Sequence, residues 1–397
     1  MSRYHSYINT AVKLIETYKG EIPFNSFIKQ FFAKEKKFGS KDRKQIASLC
    51  YSYYRLGLAF NKQLDTDNLL AAFFLCNNQP SETINTLKPE WGEKTNESAA
   101  VKINFLKKEF TLADIFPFKN ELDETIPFES FCKSFLTQPD LFIRIRPQHK
   151  ITVIEKIKKI GLPYHFMHNN TCVQFPAATN IDNFLEPDKE VVIQDYNSQL
   201  VLNYLQENLQ ALCEKNKPAE NLSILDCCAA SGGKSILLTD ILQQKINLTV
   251  SDIRPGSISN LHQRFKKAGI KNYQHFITDI SSPKNKLPST SYDIIICDAP
   301  CTGSGTWSRT PEQLYFFNPS AIAGFAEKQK KIAANVLPYL KQDGLFFYIT
   351  CSVFKKENDE VAGYIQQQNM QLLQMQYLYG DDKKADSMFV AVFKKLA

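Results

Sequence analysis

No stretch of this 397-residue chain approaches the roughly 18 uninterrupted apolar residues that a membrane-spanning helix needs, so an integral helical membrane protein is excluded. The opening M-S-R-Y-H-S-Y-I-N-T lacks the apolar core of a secretory signal, and the expected compartment is the cytoplasm. No two cysteines stand at C-x-x-C spacing and no histidines at H-x-x-x-H, which removes the usual framework of a structural zinc site; no metal is expected. The ten cysteines are scattered through a long chain, as buried thiols are, rather than arrayed as a disulfide framework. Two phosphate-binding loops are missing as well. The stretch D-C-C-A-A-S-G-G-K-S, Asp226 to Ser235, ends like a G-x-x-x-x-G-K-[ST] loop, but the glycine that should open its tight turn is Cys228. Nor does it read G-x-G-x-x-G, the dinucleotide fingerprint.

What is present is an ordinary globular composition, 43% hydrophobic and 22% charged, in a chain too long for one core, since domains usually run to about 100 to 200 residues. A net charge of +7 is a mild push towards polyanions. Residues 1–137 show helical apolar spacing, with Ile8, Val12, Leu14 and Ile15 followed by Phe24, Phe27, Ile28, Phe31 and Phe32, and are predicted all-helical. Among these helices a basic run, Lys34, Lys36, Lys37, Lys41, Arg43 and Lys44, precedes Tyr51, Tyr53 and Tyr54. It reads either as an RNA-backbone contact or as a solvated helix face followed by core tyrosines. Residues 138–194 form a second segment. Its L-F-I-R-I-R-P predicts a strand with Arg144 and Arg146 together on one exposed face, to contact nucleic acid or merely to be solvated, and a helix follows from Ile151 to Ile160.

From 195 to 397, short apolar runs alternate with helix-like segments, the pattern of a mostly parallel α/β sheet. The runs are Leu222 to Leu225, Leu248 to Val250, Tyr273 to Ile277, Ile294 to Ile296 and Leu345 to Ile349. Four end in or near Asp226, Asp252, Asp279 and Asp298, and the fifth in T-C-S, Thr350 to Ser352. Ligands of open α/β sheets lie outside the carboxyl ends of the strands, so one rim and one site are expected to use all five. There the small-residue turn Ala229 to Gly233 lets a ligand approach the backbone, and Asp252 suits ribose hydroxyls. Such a loop and acid, without a triphosphate cradle, point to a nucleoside-bearing cofactor; S-adenosylmethionine fits.

Two cysteines share that rim with Lys234: Cys301 in D-A-P-C-T-G-S-G and Cys351 in Y-I-T-C-S. Carbon 5 of a pyrimidine is too electron-poor to take a methyl group directly, but a thiolate adding at carbon 6 makes it nucleophilic. An acid such as Asp298 must then hold the base edge, and a base must remove the carbon 5 proton so that the thiolate can leave. Spacing alone does not say which cysteine does which.

These motifs, with V-I-Q-D-Y-N-S-Q-L at Val192 to Leu200, D-I-I-I-C-D-A-P-C-T-G-S-G-T-W-S-R-T-P-E, and Y-I-T-C-S-V-F-K-K-E-N-D-E-V, resemble in family order the RNA cytosine-C5 methyltransferases of the RsmB/Nop/Sun (Fmu) family. The likeness covers about Pro139 to Ala397. S-K-D-R-K-Q-I-A-S-L-C-Y more weakly resembles the NusB-like RNA-binding domain of the bacterial ribosomal-RNA members. The resemblance implies an α/β fold: a Rossmann-like class I methyltransferase domain (195–397), preceded by a small α/β adaptor (138–194) and an all-helical NusB-like domain (1–137). It implies S-adenosylmethionine as cofactor and RNA as partner, 16S ribosomal RNA first and transfer RNA as the alternative. It further implies Cys351 as nucleophile and Cys301 as the residue that helps eliminate the proton and release product. Asp298 is implied at the target base with Lys234 beside it, both bordering the cofactor, Asp252 on the ribose and Asp279 near the adenine amino group. The backbone of Cys228, Ala229, Ala230, Ser231, Gly232 and Gly233 is implied around the methionine portion.

The sequence departs from the family pattern in four places. Ser231 replaces the usual proline, which is expected to loosen the turn; Ser257 stands where arginine is common, Arg264 where asparagine is common, and D-S-M-F-V-A replaces D-G-F-F-x-A. Two other functional classes share parts of the pattern. A catalytically idle RNA-binding or ribosome-assembly factor would keep the fold, but the intact cysteines, Asp298 and Lys234 argue against decay. A DNA cytosine methyltransferase generally carries its nucleophile in the proline-cysteine motif, whereas here T-C-S points to RNA.

Overall fold

Helical spacing at the start of the chain and alternating apolar runs at its end fold separately. The computed structural model describes residues 3–208, 222–243, 246–284, 287–288 and 290–397, and these form two compact units. The first holds 1–138 together with 306–319; the second holds 139–305 and 320–397.

In the first unit the helices Arg3–Thr17, Phe24–Lys34, Ser40–Arg55 and Thr66–Cys76 bury most of the apolar positions expected of them, among them Ile8, Leu14, Ile15, Phe24, Ile28 and Phe32, while Val12, Phe27 and Phe31 are half-buried. Tyr53 and Tyr54 are core residues and Tyr51 is half-buried, so no row of tyrosine faces is open to stack on bases. The basic run from Lys34 to Lys44 is exposed. Into this unit folds the segment that follows the Cys301 motif. Trp307 is buried, its ring centroid 6.0 Å from that of Phe116, while Tyr315 packs against Tyr53 and Tyr54 at 5.7 and 5.3 Å. The buried Arg55 guanidinium donates to the Ser308 carbonyl at 2.8 Å, and Glu312 accepts from the Phe24 amide at 3.2 Å.

The second unit opens with a small antiparallel sheet of β1 (Leu141–Ile145), β2 (His165–Met167), β3 (Cys172–Phe175) and β4 (Val191–Ile193), in the order β2-β3-β1-β4. Arg144 and Arg146 do share a face of the chain at β1, but that face is covered, which corrects the expectation that they are exposed. Both are buried against Asp240 of the helix Gly233–Leu242, with Arg144 Nη1 at 2.6 Å and Arg146 Nη2 at 2.8 Å from its carboxylate. Alternation reports which residues share a face, not what lies over it.

The main sheet has β5 (Leu222–Asp226), β6 (Ile246–Asp252), β7 (Tyr273–Ile277), β8 (Tyr292–Asp298), β9 (Leu340–Thr350), β10 (Met370–Leu378) and β11 (Met388–Lys395), in the order β10-β11-β9-β8-β5-β6-β7. β7, β6, β5, β8 and β9 are parallel, and β11 runs antiparallel to both of its neighbours. Successive strand residues enter opposite cores. Ile294, Ile296, Phe347 and Ile349 pack with helices Gly233–Leu242 and Pro255–Ala268 on one face; Ile295, Cys297, Phe346 and Tyr348 pack with Ala321–Val336 and Asp359–Gln366 on the other. This is a class I methyltransferase fold. Strand order reverses between β5 and β8, and in such sheets the ligand crevice opens at that switch point.

Candidate active site

The turn after β5 is shaped by backbone contacts to the neighbouring strands. Cys227 donates its amide to Ile296 and Ala229 to Ser251, at 2.9 and 2.8 Å, and the chain turns into its helix through Ala230 (φ 48°) and Gly232 (φ 84°). A side chain at Gly232 would be strained by that φ, and its Cβ would stand 2.6 Å from the Phe265 ring. Asp226 beneath the turn is buried and accepts a 2.6 Å hydrogen bond from the Ser235 hydroxyl, while its other oxygen has no partner. Burial pushes its pKa up to about 7, against the lowering effect of Ser235.

Ser231 does not leave the turn loose. Arg264 Nη1 donates to its carbonyl at 3.2 Å and to its hydroxyl at 3.0 Å, while Nη2 of the same guanidinium is anchored on Asp188 at 2.7 Å. Two departures from the family pattern therefore meet in one contact. Proline at 231 would offer no hydroxyl, and asparagine at 264 is too short to span from Asp188. Ser387 of D-S-M-F-V-A also has a partner, its hydroxyl accepting from the Gly380 amide at 3.3 Å.

A cavity of about 440 Å³ opens where the strands end, and its walls include Cys228, Ala230, Asp252, Asp279, Asp298, Cys301 and Cys351. Seven expected residues thus face one space. Ala229, Ser231, Gly232 and Gly233 shape the turn behind it, and Lys234 reaches its edge through a 2.9 Å ion pair with Asp298. Burial opposes the Lys234 charge, but Asp298 outweighs it and raises the ammonium pKa. Asp252 is more heavily engaged than expected: Oδ2 accepts from the Ala230 amide at 2.9 Å and Oδ1 from the Arg254 amide and Nε at 2.8 and 3.0 Å. It ties the turn to β6. Asp279 accepts from the Ser281 amide and hydroxyl at 3.0 and 2.6 Å. Ile253, Arg254, Lys328 and Ile332 complete walls that sequence reasoning did not name.

Cys301 and Cys351 bring their sulfurs to 3.4 Å. The Cys301 thiol is pushed well above the ordinary value, first by its hydrogen bond with Cys351 and then by burial. What holds the two loops together is Glu357, fully buried, which sequence reasoning quoted within a motif without a role. One carboxylate oxygen accepts from the Thr302 amide (2.9 Å) and Gln329 (3.1 Å), the other from the Thr302 and Ser352 hydroxyls (both 2.5 Å). Each cysteine thus has its next neighbour fixed on one carboxylate. Asn358 adds a 2.8 Å bond to the Ser352 carbonyl, and Gly305 donates to the Cys351 carbonyl at 2.9 Å. A Cβ on Gly305 would lie 2.2 Å from the Ser387 carbonyl oxygen, so only glycine lets these loops approach. A glutamate six residues beyond a candidate nucleophile, in the midst of small hydroxylated residues, was the available signal.

Residues 210–394 match the family model described as 16S rRNA methyltransferase RsmB/F. The chain is 30% identical over 172 residues to the probable ribosomal RNA small subunit methyltransferase B of Bacillus subtilis, covering 43% of this chain and 36% of that protein. It is 31% identical over 230 residues to ribosomal RNA small subunit methyltransferase B of Cronobacter sakazakii, covering 56% and 50%. The chain therefore spans half or less of the length of these two curated relatives. Among solved structures, PH0851 superposes with a TM-score of 0.71 at 16% identity over 100% of this chain and 99% of its own. NSun6 from Pyrococcus horikoshii, solved with SFG, superposes with a TM-score of 0.54 at 15% identity, over 66% of this chain and 92% of its own.

Proposed function

We infer the activity from kinship: residues 210–394 match the RsmB/F methyltransferase family model, and we propose that the chain is a member of that family and transfers a methyl group from S-adenosylmethionine to carbon 5 of a cytosine in small-subunit ribosomal RNA. The observation that carries the cytosine chemistry is the pair of sulfurs, Cys301 and Cys351, 3.4 Å apart on the wall of a cavity that Asp298 also lines.

The cavity's donor set suits the cofactor. Ile253 and Ile332 offer apolar walls for adenine, and Asp279 offers an acceptor for its amino group. Asp252 could serve the ribose if its hydroxyls took over from the largely exposed Arg254 side chain. When bound there, the sulfonium supplies an electrophilic methyl group. The protein's own residues do the rest.

Cys351 is taken as the attacking thiolate and Cys301 as its partner on the resemblance of their motifs to the family's, and the 3.4 Å contact puts the two sulfurs within hydrogen-bond reach of each other. Lys234, kept charged by Asp298, is the cation on this rim, and Cys351 is among the groups that act on its charge. The Cys351 sulfur adds to carbon 6, electron density moves to carbon 5, and Asp298 holds the polar edge of the base as that charge develops. After methyl transfer, Cys301 relays the carbon 5 proton to solvent, taking it on sulfur as its own proton passes to water, and the Cys351–carbon bond breaks with its electron pair returning to sulfur as the carbon 5–carbon 6 double bond reforms. A base stacked in a helix cannot reach such a cavity, so the target must be extruded or presented in a loop, with the exposed Lys34 to Lys44 run as a candidate hold on the backbone.

Cys351→Ala is expected to reduce methylation to background, whereas Cys301→Ala should accumulate a protein–RNA adduct that survives denaturation. Wild-type methylation by Cys351→Ala would overturn the assignment. Bisulfite sequencing of RNA with and without the protein would identify the cytidine.

A further inference from the structure

Beneath the same turn lies a sulfur cluster that the reaction does not use. Cys227 and Cys228 follow β5, and Cys297 lies on the neighbouring strand β8; their three Sγ atoms are within 4.8 Å of one another. Cys227 and Cys297 are buried in the core that contains Leu225, Ile295 and Ala299, and half-buried Cys228 faces the cavity. We propose that these three thiols form a binding site for a single soft monovalent metal ion of the Cu(I) class, reached from the cavity through Cys228.

The ligand set selects the ion. Soft sulfur donors favour Cu(I) and zinc over hard cations. Structural zinc wants four ligands, and no fourth histidine, cysteine or carboxylate joins this group among the described residues. A d¹⁰ monovalent ion is satisfied by three thiolates. Binding forms three metal–sulfur bonds and releases the thiol protons to solvent; nothing is oxidised or reduced. Motif spacing could not show the site, since the third thiol arrives through strand order rather than through a short repeat.

Ag(I), a redox-inert stand-in for Cu(I), tests the site in the full chain carrying Cys301→Ser and Cys351→Ser, which removes the other cavity thiols. One equivalent should be retained against a competing small thiol, with a thiolate-to-metal charge-transfer band and proton release on binding. Adding Cys297→Ser should abolish retention, as should Cys228→Ser, which alters only a half-buried position and guards against a folding failure at Cys297. Absence of a retained equivalent in the double-serine protein would overturn the proposal, and so would unchanged retention after either further substitution.

Discussion

At the residue scale the site rests on carboxyls whose surroundings differ sharply. Asp298 is paired with Lys234, while Asp226 is buried with one oxygen unpartnered and its pKa pushed up to about 7. A carboxyl raised above its unfolded value binds more protons folded than unfolded in the interval between, so its contribution to stability is full below about pH 4 and is lost as pH rises towards 7. The loss is at most about 1.4 kcal/mol per pH unit. Asp226→Asn keeps an acceptor for Ser235 and never ionises; its stability relative to wild type should therefore increase between pH 5 and pH 8. Urea titrations at the two pH values check this, and an unchanged difference would mean Asp226 is ionised throughout. The residue types of the site were legible: every acid and cysteine proposed from the sequence lies at a strand end. Their hydrogen bonds were not, because Glu357 gains its importance from Thr302, Gln329 and Ser352 converging on it from separate segments.

At the scale of elements, the helix Gly233–Leu242 serves two masters: its first residues continue the cavity turn, and Asp240 near its end pairs with both Arg144 and Arg146. Removing one partner of a buried ion pair typically costs about 3 to 5 kcal/mol. Asp240→Asn, which leaves two buried guanidinium groups without their carboxylate, should lose stability in that range by chemical denaturation. A loss below about 1 kcal/mol would show that water reaches them. The Ser231–Arg264 contact is testable as a pair. In a double-mutant cycle of Ser231→Ala and Arg264→Gln, a coupling of about 1 kcal/mol is expected in unfolding free energy. Additive effects would make the two departures independent. The strands themselves were readable, because β-rich apolar runs alternating with helices leave few other folds. The covering of β1 was not readable, because an arginine on a strand looks the same whether water or an aspartate faces it.

At the scale of the whole molecule, the chain leaves the second unit after Gly305 and returns at Ser320, having contributed 306–319 to the helical unit. The chain contains two tryptophans, Trp91 and Trp307, and Trp307 is buried among Phe116 and Phe317 at 6.0 and 4.6 Å. A fragment beginning at Pro139 lacks Phe116 and retains Trp307 as its sole tryptophan. Its fluorescence should be red-shifted relative to the full chain carrying Trp91→Phe, where Trp307 keeps its aromatic surroundings. Identical spectra would mean that residues 306–319 find cover without the helical unit. None of the described helices is long and apolar enough to cross a membrane.

The amino-acid sequence by itself determined the parallel α/β plan, the rim on which the acids and cysteines gather, and the exclusion of a triphosphate loop. Those features follow from local periodicity and from residue types at fixed positions, which need no knowledge of distant neighbours. Only the tertiary structure decided that Arg144 and Arg146 face Asp240, that Arg264 braces Ser231, that 306–319 belongs to the helical unit, and that Cys297 joins Cys227 and Cys228. Each of these joins residues far apart in the chain, and which long-range partner covers a given side chain is set by strand order and helix packing, not by the spacing of its near neighbours.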